Sequence, residues 1–252
     1  PLLIAGLAGM TNETIDRILL KHLLPNSEMA ASELGLYGAF YKLSIIMILF
    51  IQTFRFAAEP FFFAQEKQKS NRKVYADVMK YFTIIMAIIF LGVTIFYDVI
   101  KGFLGSEYHD DRGFLVVSIL LLANLFLGIY YNLSIWYKLT EKTKYGAYLS
   151  IFGAVITLSL NFTLIPVLGF VGCAWATLVC YFSMTVASYY LGKKHFSVPY
   201  QVKRITLYLF CMICVYFCIY FTNLNMWINS LFLLGFVIFV YSLEKPKLEL
   251  KL

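Results

Sequence analysis

Long apolar runs separated by short polar connections make up most of the chain. Windows of roughly 20 apolar residues, the length that crosses a bilayer, recur along it. They predict eight transmembrane helices, over 1–21, 34–63, 76–100, 113–137, 146–165, 168–191, 203–222 and 226–243. The second run is longer than a bilayer needs, so we expect it to tilt or to extend beyond the membrane at one end.

The composition agrees with this pattern. Of the 252 residues, 61% are hydrophobic and only 14% are charged, whereas soluble domains average about 25% charged residues. The chain is therefore predicted to be an all-α polytopic membrane protein. The net charge of +7 does not indicate nucleic-acid binding, because the basic residues lie in short clusters between apolar runs.

Those clusters predict the orientation of the helices. Lysine and arginine concentrate in alternate connections, “QEKQKSNRK”, “YKLTEKTK” and “GKKHFSVPYQVKR”, and in the C-terminal tail. The other connections are acidic or uncharged, such as “GSEYHDDRG” and “PVLG”. Because basic loops stay in the cytoplasm, we expect both ends of the eight-helix chain to be cytoplasmic. The chain opens on Pro1 inside an apolar run, and we interpret it as a piece of a longer protein that lacks its N-terminal part.

The second predicted helix carries a polar stripe. On a projection of about 100° per residue, six side chains share an arc of about 80°. They are Tyr37, Tyr41, Ser44, Gln52, Arg55 and Glu59. Lys42 lies on the same helix, about 80° beyond the edge of the arc. A charge at the bilayer centre costs about 2.5–3.5 kcal/mol, so the stripe should face other helices or a water-filled cavity.

Two interpretations of this stripe remain open. Arg55 and Glu59 stand four residues apart and can neutralise each other against a neighbouring helix. Alternatively, the stripe lines a hydrophilic cavity, in which Lys42 and Arg55 offer cationic contacts to an anionic substrate. The second interpretation also gives Lys42 a role. Pro60 follows the stripe and predicts a kink or a helix end there.

Polar and small residues on the first and fourth predicted helices also allow two interpretations. Asp16 and Arg17 are either interfacial anchors near the outer end of the first helix or part of a gate, with Asp16 as a titrating group. Asn124, Gly128 and Tyr131 share a face of the fourth helix, where packing is favoured over cavity lining. The following stretch supplies Tyr130, Trp136, Tyr137 and Lys138, which are predicted to form a belt at the cytoplasmic interface.

The sequence contains no recognisable catalytic constellation. Its three histidines stand apart near connections, and it has neither a Gly-rich phosphate loop nor a nucleophile motif. We predict no enzyme activity, no cofactor and no metal site. A membrane glycan polymerase, ligase or acyltransferase would normally have long external loops, which this sequence lacks.

Several motifs, taken in order, resemble one family. They are “DRILL” (Asp16 to Leu20), “LGLYGAFYKL” (Leu34 to Leu43), “FRFAAEPFFF” (Phe54 to Phe63) and “LNFTLIPVLGFVGCAWAT” (Leu160 to Thr177). They are similar to polysaccharide exporters and Wzx-type O-antigen flippases of the multidrug, oligosaccharidyl-lipid and polysaccharide (MOP) superfamily. The resemblance covers almost the whole chain, although Cys173 stands where an alanine is usual.

The resemblance implies an architecture. Family members usually have fourteen helices, and this chain would correspond to helices seven to fourteen. Residues 1–192 would then form the C-terminal six-helix lobe, and 193–252 two additional helices with a cytoplasmic tail. The N-terminal lobe of the same protein would be a missing partner.

The resemblance also implies a function. The expected activity is movement of undecaprenyl-pyrophosphate-linked oligosaccharide across the bacterial inner membrane by alternating access between two lobes. The expected cavity residues are Lys42, Arg55, Gln52, Tyr37, Tyr41 and Glu59. The expected gating or ion-coupling residues are Asp16, Arg17 and Glu59. A multidrug exporter or a lipid II flippase of the same superfamily is the alternative within transport.

Overall fold

A computed structural model describes residues 2–67, 72–222 and 225–248 of the chain. These residues form helices and connections, and no strand occurs among them. The helices are α1 (Leu2–Leu23), α2 (Ser27–Lys67), α3 (Lys73–Ile95), α4 (Tyr97–Lys101), α5 (Gly113–Leu133), α6 (Ile135–Leu139), α7 (Lys144–Leu168), α8 (Phe170–His195), α9 (Val202–Thr222) and α10 (Met226–Leu248). The prediction of an all-α polytopic membrane protein is confirmed.

Seven helices in the described part of the chain are long and apolar enough to cross a membrane. They correspond to the second to eighth predicted spans, and α6 continues the apolar run of α5. The first predicted span also forms a helix, α1, but it is not among the seven. Its C-terminal half carries Glu13, Asp16 and Arg17, which lower its hydropathy below that of a typical span.

The second predicted span forms one helix of 41 residues, as its long apolar run led us to expect. Pro60 lies inside α2, and the helix continues to Lys67. Of the kink or helix end predicted at Pro60, the helix end is therefore wrong, and the kink stays a prediction. Proline removes one backbone hydrogen bond, but seven residues after it retain helical geometry.

The chain divides into two compact units. Unit 1 comprises Pro1–Arg72 and Leu104–Val198, and unit 2 comprises Lys73–Phe103 and Pro199–Leu252. The division between 1–192 and 193–252 that the resemblance implies stays a prediction. The compact units are drawn differently, because α3 packs against α9 and α10.

Five long helices of unit 1 form a closed ring. In order around it, α1 packs against α7, α7 against α8, α8 against α5, α5 against α2, and α2 against α1. The span that contains α5 is the most buried of the described spans: 78% of its apolar stretch is buried. The packing of these helices brings together the polar groups described below.

A single residue joins α7 to α8. Gly169 has φ +57° and ψ −137°, a backbone conformation that residues other than glycine rarely adopt. Glu33 of α2 lies against this turn, where its Oε2 accepts a hydrogen bond from the backbone N–H of Phe170 at 2.9 Å. A Cβ atom on Gly169 would collide with the same carboxylate oxygen.

Arg112 completes this cluster at the start of α5. Its Nη1 donates to Glu33 Oε1 at 3.0 Å, and its guanidinium lies 4.3 Å from the centroid of the Phe170 ring. Hydrogen bonds to Asp110 raise the pKa of Arg112 above its ordinary value, so the residue stays cationic. Glu33 thereby joins the N-terminal ends of α2, α5 and α8, through its ion pair with Arg112 and its hydrogen bond from the Phe170 backbone.

Unit 2 holds a buried ionic network of its own. Lys80 of α3 is 1% exposed, and its Nζ lies 2.5 Å from Glu244 Oε2 of α10. The other carboxylate oxygen of Glu244 accepts hydrogen bonds from Arg204 at 2.8 Å and from Tyr208 at 2.6 Å, both on α9. The network explains why α3 groups with the last two helices, since each charge would be costly if left unpaired.

We predict that Gly169→Ala destabilises unit 1. Forcing alanine into this backbone region costs about 1–3 kcal/mol before the collision with Glu33 is counted. Gly38→Ala is the matched control, because a Cβ there meets nothing within 4 Å and alanine favours a helix interior by up to about 1 kcal/mol. Thermal unfolding of both purified variants in detergent compares them. Equal melting temperatures for Gly169→Ala and the unmodified chain would contradict the role given to this turn.

Candidate functional site: a polar cavity inside unit 1

Unit 1 contains a partly open cavity of about 360 Å³. This volume lies at the lower end of the roughly 300–1,000 Å³ that small-molecule sites occupy. The cavity is lined by α1, α2, α5, α6, α7, α8 and Ser134 between α5 and α6. Its charged lining residues are Glu13, Arg55 and Lys138.

Arg55 is held at the cavity wall by α2 and α5. Its guanidinium lies 4.1 Å from the centroid of the Tyr131 ring, within the range of a cation–π contact. Its Nη1 donates to Gln52 Oε1 at 3.3 Å. Gln52 and Arg55 were both predicted to line a cavity, and both do.

Glu59 lies between two cations. Its Oε1 is 3.7 Å from Arg55 Nε and 2.6 Å from Lys138 Nζ. The pairing of Arg55 with Glu59 that the sequence allows is therefore present, but Lys138 is the closer partner. Arg55 at once pairs with Glu59 and lines the cavity, so the pairing and the cavity lining coexist, while contact with an anionic substrate stays a prediction.

Tyrosines make up much of the remaining wall. Tyr130, Tyr131, Tyr137 and Tyr181 line the cavity from α5, α6 and α8. Trp136 is 2% exposed and stacks on His195 with ring centroids 5.4 Å apart, so it packs inside unit 1, and the predicted interfacial belt stays a prediction. The small Gly192 allows this burial, because a Cβ there would crowd the indole. For Tyr131, which the sequence assigned to packing, the structure places the ring at the cavity.

Two polar residues of α1 were missed. Glu13 and Asn12 both line the cavity. Asn12 is 4% exposed, and its Nδ2 donates to the Ser150 carbonyl at 3.4 Å. An amide and a carboxylate side by side within an apolar run were a usable signal, but the sequence does not show which helices surround α1.

Tyr37 and Asp16 form a buried pair outside the cavity. Asp16 is 2% exposed, and Tyr37 Oη donates to its Oδ2 at 2.5 Å. One residue on, Arg17 lies 4.3 Å from the centroid of the Tyr41 ring. These contacts hold α1 against α2. Neither Tyr37 nor Tyr41 belongs to the residues that line the described cavity, and the gating roles of Asp16 and Arg17 stay predictions.

Lys42 lies apart from Arg55. It is exposed on α2, on a face that also exposes Ile46 and Leu49. Arg55 follows Lys42 by 13 positions, which correspond to about 20 Å along a helix axis. The structure therefore does not bring the two cations together, and a single diphosphate cannot contact both within this helix.

Comparisons with protein-family models, with curated protein sequences and with solved structures find no match to this chain.

We predict that Tyr37→Phe lowers the stability of the α1–α2 pair. Removing the hydroxyl leaves a buried carboxyl group short of a hydrogen bond, which costs about 1–3 kcal/mol. Tyr190→Phe is the control, because Tyr190 is 66% exposed on α8. Thermal unfolding should separate the two variants by several degrees, and indistinguishable curves would show that Asp16 does not depend on Tyr37.

Proposed function

We propose that the chain is part of a flippase that moves undecaprenyl-pyrophosphate-linked oligosaccharide across the bacterial inner membrane. The observation that carries this proposal is the polar, partly open cavity among apolar helices, with Arg55 and Glu13 in its wall. Charges inside membrane helices are expensive, and a cavity open to water or to a polar substrate offsets that cost. The helix pattern and the motifs of the resemblance favour the same function.

Alternating access would supply the mechanism. The N-terminal lobe of the same protein would face this chain across a central pathway, and rocking of the lobes would expose that pathway to one side at a time. The basic connections and the C-terminus would lie in the cytoplasm.

Lys42 provides a second contact to the proposed substrate. A lysine on an exposed apolar face of a membrane helix is costly against lipid, most of all near the bilayer centre. We place this face against the pathway rather than against lipid, where Lys42 meets the diphosphate as a compact point charge. Arg55, about 20 Å from Lys42 along α2, contacts the glycan end of the substrate.

An exporter of organic cations is the second candidate. Glu13 beside several tyrosines favours it, because aromatic walls and a carboxylate suit a cationic ligand. Arg55 in the same wall opposes it.

We predict that the double variant Lys42→Gln/Arg55→Gln of the full-length protein abolishes export of surface glycan, because the diphosphate contact at Lys42 and the glycan contact at Arg55 are both lost. The measurement is surface glycan on gels, in a strain that depends on the protein, with membrane levels followed by immunoblot. Arg72→Gln is the control: Arg72 also contacts an aromatic ring, 4.2 Å from the Phe196 centroid, but lies outside the cavity.

Normal glycan on the double variant at normal membrane level would overturn the proposal. Loss of organic-cation efflux with unchanged glycan would favour the second candidate.

A further inference from the structure

At one end of unit 2 the acidic side chains lie inside and the lysines lie outside. Glu244 is 3% exposed within the buried network. Asp77 of α3 is 18% exposed; it lies 3.8 Å from Lys80 Nζ and accepts a hydrogen bond from Gln201 of α9 at 3.1 Å. The exposed charged side chains that the structure describes at this end form a lysine cluster, which consists of Lys73, Lys203 and Lys245.

The lysine cluster lies where three apolar spans end. Lys73 is the first residue of the span of α3, Lys203 is the second residue of the span of α9, and Lys245 is the last residue of the span of α10. The buried network joins these three helix ends, because Glu244 binds groups of both α3 and α9. The cluster is therefore a group of lysines at one membrane surface, held together by the helices that carry it.

This end of unit 2 has an excess of positive charge. Its five described basic side chains and two described carboxylates give a net charge of +3; the basic ones are the lysine cluster with Lys80 and Arg204, and the acidic ones are Asp77 and Glu244. Both carboxylates are bound by groups inside the unit. The partner that complements the outer surface is therefore an anion from outside the chain.

Two lysines of the cluster each head an exposed stripe of apolar and aromatic side chains. Residues four and seven positions from a lysine share its face of a helix. Counted from Lys203 along α9 and backwards from Lys245 along α10, the side chains at these positions are all exposed: Leu207, Phe210, Tyr241 and Ile238. Only 22% and 17% of the apolar stretches of α9 and α10 are buried, so acyl chains can contact both stripes.

We propose that the lysine cluster binds the headgroup of an anionic phospholipid, whose acyl chains lie along the exposed stripes. A lysine ammonium is a compact charge that binds phosphate, and clustered basic residues next to membrane helices recognise anionic lipids. The bound headgroup joins the ends of α3, α9 and α10 from outside, as Glu244 joins them from inside. This site is independent of the proposed transport function, because it depends only on the charge of unit 2 and its contact with lipid.

Photocrosslinking in nanodiscs tests the proposal. A trace of photoreactive phosphatidylglycerol is added to the purified chain in phosphatidylcholine nanodiscs, and mass spectrometry maps the adducts. The matched probe is a photoreactive phosphatidylcholine with the same acyl chains. We expect phosphatidylglycerol to label α9 and α10 along the stripes about tenfold more than phosphatidylcholine does, because each lysine near an anionic headgroup raises affinity about fivefold. High salt should reduce this preference, since it screens exposed charges.

Charge-removing variants locate the site. Replacing the whole lysine cluster by glutamine (K73Q/K203Q/K245Q) should lower phosphatidylglycerol labelling of α9 and α10 by about tenfold or more. Replacing the cluster by arginine keeps the charge and should retain the labelling. Thermal unfolding checks that each variant is folded, and if the triple glutamine variant is not, Lys203→Gln alone should lower the labelling about fivefold.

The control for location removes three exposed lysines of unit 1, Lys144, Lys193 and Lys194. Their replacement by glutamine should leave the labelling of α9 and α10 unchanged. An equal loss in this control, or unchanged labelling in the folded cluster variant, would remove the role of the cluster.

The two other outcomes overturn the proposal in different ways. Equal labelling by the two lipid probes would mean that unit 2 makes only ordinary bilayer contacts. Displacement of the phosphatidylglycerol probe by inorganic phosphate would assign the cluster to a soluble anion. Glycan export enters none of these readouts, so the lipid site and the flippase proposal fail separately.

Discussion

A charge within a membrane helix must have a partner or water, and this constraint organises unit 1. Arg55 satisfies it through Tyr131, Gln52 and Glu59, while Glu59 is shared with Lys138. These contacts join α2, α5 and α6 around one wall of the cavity. Because Tyr131 lies on α5 and Lys138 on α6, while Gln52 and Glu59 share α2 with Arg55, the positions of these helices and of the charges depend on each other.

The same constraint explains the other fixed points of the molecule. At the Gly169 turn, Glu33 binds a backbone N–H of α8 and the guanidinium of Arg112. In unit 2, Glu244 binds groups from α3 and α9. Each carboxylate joins three segments that are distant in sequence. Apolar side chains alone cannot fix such positions, because lipid is as apolar as they are.

The helices were largely predictable and the site only in part. The apolar runs predicted the helix bounds closely. The span predicted over 203–222, for example, is the helix Val202–Thr222. On α2, Gln52 and Arg55 line the cavity, whereas Tyr37 of the same predicted arc does not, and their substrate-binding roles stay predictions. One face of a helix of 41 residues meets different neighbours along its length: α1 binds Tyr37, and the cavity begins further on. Glu13 and the tyrosines of α5, α6 and α8 were missed, since only the helix packing makes them neighbours.

Water in the cavity of unit 1 is the claim on which the transport proposal rests most directly. In a variant freed of its five cysteines, single cysteines at Gln52, Met47 and Val155 would be treated with a water-soluble thiol reagent, which reacts with hydrated thiolates. Gln52 lines the cavity, Met47 is fully buried on the same helix, and Val155 is 57% exposed on α7. A wet cavity predicts that Gln52→Cys is labelled and that Met47→Cys and Val155→Cys are not. A Gln52→Cys thiol as unreactive as the one at Val155 would mean that the cavity is dry.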